Sequence, residues 1–261
     1  MTEDSLLAFV RRHDPDRFLT ALFAPADRRV TLLALYAFNH ELARAREVTS
    51  EPVLALIRLQ WWREVVEGAR RPHEVATPLG AALDAGALHV PDLLAMVTAR
   101  EAEAGPSIPS RAAWEATVRG TAGALAVAAG RALGAEASLL PRLSDLGAAY
   151  GVAGQLRSLR ALARQGRCLL PEDILAAHGL SVHDVITRPE APALRPALTE
   201  LESWGFALLR RSAGRLPRSV LAAGLPAVLA RRDLRRAGQP ARPRGLGDRL
   251  AVLAAAAAGR V

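Results

Sequence analysis

The chain has 261 residues, half of them apolar, which is enough for one large domain with a buried core and excludes general disorder. Alanine supplies 54 residues while Phe, Tyr and Trp together make only 4%, a balance that favours helices and excludes an all-β fold. All 34 basic residues are Arg, so the net charge of +8 comes without any lysine-dependent chemistry such as a Schiff base or a P-loop.

The chain opens on Met1-Thr2-Glu3-Asp4, which lacks the basic segment of a signal peptide and the Arg-rich character of a transit peptide. A cytoplasmic chain is the expectation. No run reaches the roughly 18 apolar residues of a membrane span, which leaves peripheral attachment at the inner face of a membrane open. From Ala26 to Val48 the apolar positions Val30, Leu33, Ala34, Ala37, Phe38, Leu42 and Ala45 step by three and four, predicting one long helix with a single buried stripe. Ser50-Glu51-Pro52, Thr77-Pro78 and Ser110 read as helix starts. Helices are expected at 51–69, 78–87, 91–104, 111–133 and 138–164. After a break from Gln165 to Pro171 come short helices at 172–178 and 181–187, then longer ones at 190–214 and 218–237. Nothing reads as a strand and no repeat has a solenoid period, so residues 1–237 are expected to form one all-α domain. Gly238 to Gly247 reads as a linker and the Ala-rich end as a frayed helix, giving a basic C-terminal tail over 238–261.

Charge is unevenly placed. Residues 1–204 carry 22 Arg against 24 acids, whereas 205–261 carry 12 Arg against Asp233 and Asp248 alone. Such a segment suits a solvated face, an anionic lipid surface or nucleic acid. No nucleic-acid motif accompanies it, so nucleic acid ranks last. Cys168 is single and the six His are scattered, with no zinc spacing such as C-x-x-C or H-E-x-x-H; the cysteine reads as a small buried apolar residue.

Three clusters are candidates for chemistry. Asn39, His40, Glu41, Arg44, Arg46 and Glu47 crowd the middle of the 26–48 helix, where they form either a functional patch or an exposed face of helix charge pairs. Arg157, Arg160, Arg164 and Arg167 step by three, four and three, placing like charges on one face that repel unless an anion is near; a solvated stripe is the other reading. Trp61 and Trp62 point about 100° apart on a helix, so either both pack in the core or one reaches a cavity or a partner.

Taken in order, several segments resemble the squalene/phytoene synthase family of head-to-head prenyl diphosphate condensing enzymes. They are Arg17-Phe18-Leu19 through Phe23-Ala24-Pro25, Leu35-Tyr36-Ala37-Phe38, Ile57-Arg58-Leu59-Gln60-Trp61-Trp62-Arg63, Gly151 to Gln155, Gly166-Arg167-Cys168-Leu169-Leu170-Pro171, and Leu225-Pro226 with Leu234-Arg235. Within the family, Leu35 to Asn39, Ser50-Glu51-Pro52, Gln60 to Arg63 and Arg157 to Arg167 are similar to the branch of respiratory complex I assembly factors. The resemblance implies an isoprenoid-synthase-like helical bundle around a central cavity. It also implies two Asp-rich motifs on facing helices that hold Mg²⁺ against a substrate diphosphate. The first motif should follow Tyr36-Ala37-Phe38, where this chain reads Ala43, Arg44 and Glu47. The second should follow Gln155, where it reads Arg157-Ser158-Leu159-Arg160, with no acid between Asp145 and Glu172. Arg17 and Leu169 replace a Ser and a Tyr of the family pattern.

One carboxylate cannot organise a cluster of Mg²⁺ ions, so the expectation is a catalytically degenerate member without a cofactor, Mg²⁺ returning only if a transferase activity survives. Arginine in place of the acids can hold phosphate oxygens directly. The expected binding set for a prenyl diphosphate or an anionic lipid is Arg17, Tyr36, His40, Arg44, Glu47, Arg157, Arg160 and Arg164. A membrane surface and respiratory complex subunits are further partners implied by the branch; the alternative is a transferase condensing two prenyl diphosphates.

Overall fold

Alanine- and leucine-rich segments punctuated by Pro, Ser and Gly favour helices, and packing of their apolar faces stabilises them and decides how they are cut and joined. The computed structural model describes residues 3–47, 51–101, 103, 105, 107–240 and 242–261, with the backbone alone for 3, 4 and 47. Two N-terminal helices, α1 (Glu3–His13) and α2 (Pro15–Ala21), precede the long α3 (Ala26–Glu47) and were not anticipated by periodicity. Then come α4 (Pro52–Val66), α5 (Ala76–Asp84) and α6 (Val90–Glu101). Ser110 caps α7 (Arg111–Val118) as expected, its side chain accepting from the Ala113 amide at 3.2 Å. Ser50 lies outside the described residues. At α5 the cap is not Thr77: the helix starts at Ala76, where His73 Nδ1 accepts from the Val75 and Ala76 amides.

The single helix expected at 111–133 is instead α7, a π-helical turn over Arg119–Gly123 and α8 (Ala124–Ala132). A π turn inserts one residue into the helical ladder and is common at functional sites. Behind it runs the central α9 (Leu140–Arg164), which buries Leu143, Leu146, Ala149, Val152, Leu156 and Leu159 along one side. Gly147 and Gly151 let α9 approach the π turn. A Cβ at Gly151 would stand 2.7 Å from the Ala122 methyl, and one at Gly147 2.6 Å from that of Ala126.

The remaining helices are α10 (Glu172–Ala177), α11 (Val182–Thr187), α12 (Arg195–Arg211), α13 (Leu221–Gly224), α14 (Pro226–Leu234) and α15 (Leu246–Ala258). The helix expected at 218–237 is broken at Leu225-Pro226, because a proline cannot donate to the helical ladder. Among the described residues the only β pairing is two isolated bridges, Ile108 with Pro171 and Arg215 with Arg260. One continuous apolar core runs from Leu6 to Val261.

The segment read as a tail is tied back at several points. Val252 and Ala256 of α15 are buried, and Gly259 closes the helix in the left-handed conformation at φ 64°. Val261 and Gly214 exchange backbone hydrogen bonds of 3.1 and 3.0 Å. A helix so capped and packed is not frayed.

Candidate functional site

A cleft of about 350 Å³ lies between the C-terminal halves of α3 and α9, its walls completed by the α1–α2 turn, the π turn, the end of α6 and the turn after α9. Its lining carries four arginines, Arg17, Arg100, Arg157 and Arg167, against the acids Asp14 and Glu103.

Each arginine is positioned by its neighbours. Asp14 caps α2, its carboxylate accepting from the Arg17 amide at 3.1 Å and from Arg17 Nη1 at 2.8 Å. The guanidinium lies 4.8 Å from the centre of the Tyr150 ring and 5.9 Å from that of Tyr36. Burial would lower the Arg17 pKa, but the charge and hydrogen bond of Asp14 together with the two tyrosine hydroxyls outweigh it and hold the cation above its ordinary value. Burial also raises both tyrosine hydroxyls, which stay neutral donors. Arg100 pairs with Glu103 at 2.6 Å and donates to Asn39 Oδ1 at 3.3 Å. Arg167, just past the α9 terminus, is buried and donates to the Glu103 carbonyl at 3.1 Å.

Arg157 joins the cleft to a buried ion cluster. It lies 3.4 Å from Asp16 and 3.2 Å from Asp233, while Arg244 bonds the same two carboxylates at 2.6 and 2.7 Å. The Tyr150 hydroxyl donates to Asp16 at 2.9 Å. Burial alone would push the Asp16 carboxyl up. Arg244, Arg157 and Tyr150 together hold it below its usual value of 3.8.

On the opposite wall His13 and His40 stack with ring centres 4.7 Å apart. His40 Nε2 is buried without a hydrogen-bond partner, and burial, reinforced by His13, lowers the His40 pKa so that the ring is neutral at pH 7. Behind the Arg17–Tyr36–Tyr150 group the bundle interior closes to a void of about 10 Å³ lined by residues such as Leu125, Leu146 and Pro226. That is roughly the space of one water.

Of the binding residues expected from the sequence, Arg17, His40 and Arg157 line the cleft, and Tyr36 lies just beneath it beside Arg17. Arg44 does not line it; it pairs with the buried Glu41 at 3.2 Å. Nor do Arg160 and Arg164: Arg160 reaches Glu190 at 2.6 Å and Arg164 is exposed. The four-arginine stripe therefore splits: its members share a face but lie one to two turns apart along the axis, so each side chain meets different neighbours. Glu47 ends α3, and its side chain lies outside those described. The sequence missed Arg100, whose link to Asn39 spans 61 residues and leaves no local signal. Trp62 is in the core, whereas Trp61 is half-buried beside Arg71. Cys168 is fully buried, and burial pushes its thiol up.

The donor set does not fit a Mg²⁺ cluster, which needs several free carboxylate oxygens. Asp14 and Glu103 are each neutralised by an arginine, and Glu64 is paired with Arg71 away from the cleft. Among the described residues no three His, Cys, Asp or Glu side chains come together to hold a metal ion. No helix among them is long and apolar enough to cross a membrane.

The squalene/phytoene synthase family model matches residues 10–251. The NADH dehydrogenase (ubiquinone) complex I assembly factor 6 of Mus musculus is 28% identical over 229 residues, 85% of this chain and 68% of that protein. Its Homo sapiens counterpart is 28% identical over 208 residues, 77% and 62% of the two chains. This chain thus spans about two thirds of the length of these relatives or somewhat less. Among solved structures, a dehydrosqualene synthase in complex with ligand superposes with a TM-score of 0.79 at 15% identity, over 98% of this chain and 95% of that one. A squalene synthase of Alicyclobacillus acidocaldarius gives 0.67 at 16% identity, over 98% and 94%. At such identities the likeness is one of fold, the all-α bundle.

Proposed function

The chain belongs to the squalene/phytoene synthase family, and on that premise we propose that it is a catalytically degenerate member that binds an anionic phosphate head group in its cleft without metal. The ligand class is a prenyl diphosphate or an anionic lipid. The protein acts as an assembly factor for a respiratory complex, as the names of its curated relatives suggest, and in this reading it works at a membrane surface.

One observation carries the reading. Both acids lining the cleft are neutralised by arginines, and four guanidiniums converge where the family chemistry calls for free carboxylates. Ionising a prenyl diphosphate requires stabilisation of the departing diphosphate. Guanidiniums can bind its oxygens in fork geometry without metal; the carboxylates and carbonyls they touch hold them in place, and no cleft carboxylate is left free to carry Mg²⁺ for turnover. The 10 Å³ void behind Arg17 offers no room for a prenyl chain in this conformation, so the head group is what the cleft reads.

The test is incubation of the purified protein with farnesyl and geranylgeranyl diphosphate, with and without Mg²⁺ and NADPH, followed by mass spectrometry for coupled C30 or C40 products. In parallel, calorimetry measures pyrophosphate binding with and without EDTA. The expected result is EDTA-insensitive binding and no coupled product under conditions where an active relative turns over. Mg²⁺-dependent product would instead establish the alternative, a transferase condensing two prenyl diphosphates.

A further inference from the structure

The outward face of α15 is built for a surface other than water. The helix buries Asp248, Val252 and Ala256, spaced by four, and turns Leu246, Leu250 and Leu253 outward at 73%, 52% and 47% exposure. Exposed Ala254 and Ala257 extend that face, and Arg249 is its one charged residue. A solvated helix carries polar residues on the face away from the core; this one is apolar on both sides.

The charge around the patch has one sign. The only acids between residues 205 and 261, Asp233 and Asp248, are turned inward at 8% and 4% side-chain exposure and bonded to Arg244 and Arg232. Arg242 stands exposed before α15, Arg249 on it and Arg260 after it, and an antiparallel bridge sets Arg215 beside Arg260. None of these four has an ion-pair partner among the described residues.

We propose that this face of α15 docks on an anionic lipid surface, the three leucines entering the boundary between head groups and acyl chains while the flanking arginines meet lipid phosphates. Charge decides for a membrane over a neutral protein groove: the patch has cations at both ends, and neither acid of residues 205–261 is exposed. The run Val53, Leu54 and Ile57 on α4 is equally apolar, yet Glu51, Arg58 and the Glu64–Arg71 ion pair balance around it. The ion pairs Arg157–Asp233–Arg244 connect the cleft to the residue two before α15. Docking there holds the cleft wall near the bilayer. The inference deepens the membrane-peripheral part of the proposed function and rests on it.

The experiment is vesicle flotation of the full chain with phosphatidylcholine alone and with phosphatidylcholine containing phosphatidylglycerol, at low and high salt. Compared with it are L250E/L253E, the uncharged L250S/L253S and, as a control on the other patch, V53E/I57E. The parent protein and V53E/I57E are expected to float only with the anionic vesicles, and less as salt rises. Both α15 variants lose at least about tenfold in apparent affinity, with circular dichroism, melting temperature and pyrophosphate binding unchanged. If the parent floats and the α15 variants float equally well, the assignment of this face is wrong while the peripheral reading stands. A parent that binds neither vesicle overturns both. A parent that is dimeric by light scattering, ignores vesicles and becomes monomeric as L250S/L253S makes the face an interface between copies, and the lipid proposal fails.

Discussion

Replacing Arg244 with Met should destabilise the fold although the residue follows the last helix of the main bundle and reads in sequence as part of a tail. Its guanidinium hydrogen-bonds both Asp16 and Asp233, whose side chains are 7% and 8% exposed. The native cluster sets two carboxylates against Arg157 and Arg244 and is neutral. R244M leaves one uncompensated negative charge in it. Removing one partner of a buried pair costs about 3–5 kcal/mol. Arg157 and the Tyr150 hydroxyl still serve Asp16, which puts the expectation at the lower end, about 3 kcal/mol. For a chain of this size that is a fall in melting temperature of about 6–12 °C.

The sign with pH follows from the same cluster. Asp16 is held below its usual value in the folded state, so its contribution is complete above the unfolded value near 3.8 and is lost as pH falls through the folded one. Without Arg244, burial acts with less opposition and the carboxyl rises, so acid unfolding should begin at higher pH. Differential scanning calorimetry of the parent, R244M, D16N and the double variant tests the account. D16N/R244M restores neutrality between Asp233 and Arg157 and should be less destabilised than the sum of the singles by about 1–3 kcal/mol. A melting temperature for R244M within about 2 °C of the parent, or strict additivity, would refute the reasoning.

Other outcomes follow from the cleft and its supports. R17M and R157M should each weaken pyrophosphate binding by about 10- to 100-fold, the worth of a hydrogen bond to a charged group, measured by calorimetry after checking that each variant folds. His40 has a depressed folded pKa, so its contribution to stability is complete above about pH 6.5 and is lost as pH falls. Protonation there also adds a cation beside His13 and Arg44, facing Glu41 and Asp14, so as pH falls through the lowered His40 value pyrophosphate should bind more tightly to the parent than to H40N. H40N should flatten both profiles; an unchanged binding profile would remove His40 from the site. G151V should cost about 1–3 kcal/mol by overpacking, because even a Cβ there meets Ala122 at 2.7 Å. Chemical denaturation would show it, and a neutral result would mean that α9 moves off the π turn freely.

The sequence by itself determined where most helices from α3 onward lie, because periodicity, capping residues and alanine content act within a few residues. α3 falls within one residue of its expected end, and Ser110 caps α7 as expected. It also exposed the absence of paired acids where the family resemblance implies them, which is a matter of residue identity alone. Tertiary structure decided which arginines meet. Arg157, Arg160 and Arg164 share one helix, yet they end respectively against Asp16 and Asp233, against Glu190, and in solvent. Arg100 reaches Asn39 across 61 residues. Only packing could turn a single helix at 111–133 into two helices joined by a π turn, since Gly147 and Gly151 on α9 create the space against which that turn sits. The C-terminal segment shows the same division. Its charge and its leucine spacing are plain in the sequence. That Asp248 faces inward while Leu246, Leu250 and Leu253 face outward is settled by which side of α15 meets α14, because a helix apolar on both faces carries no local instruction about which one to bury.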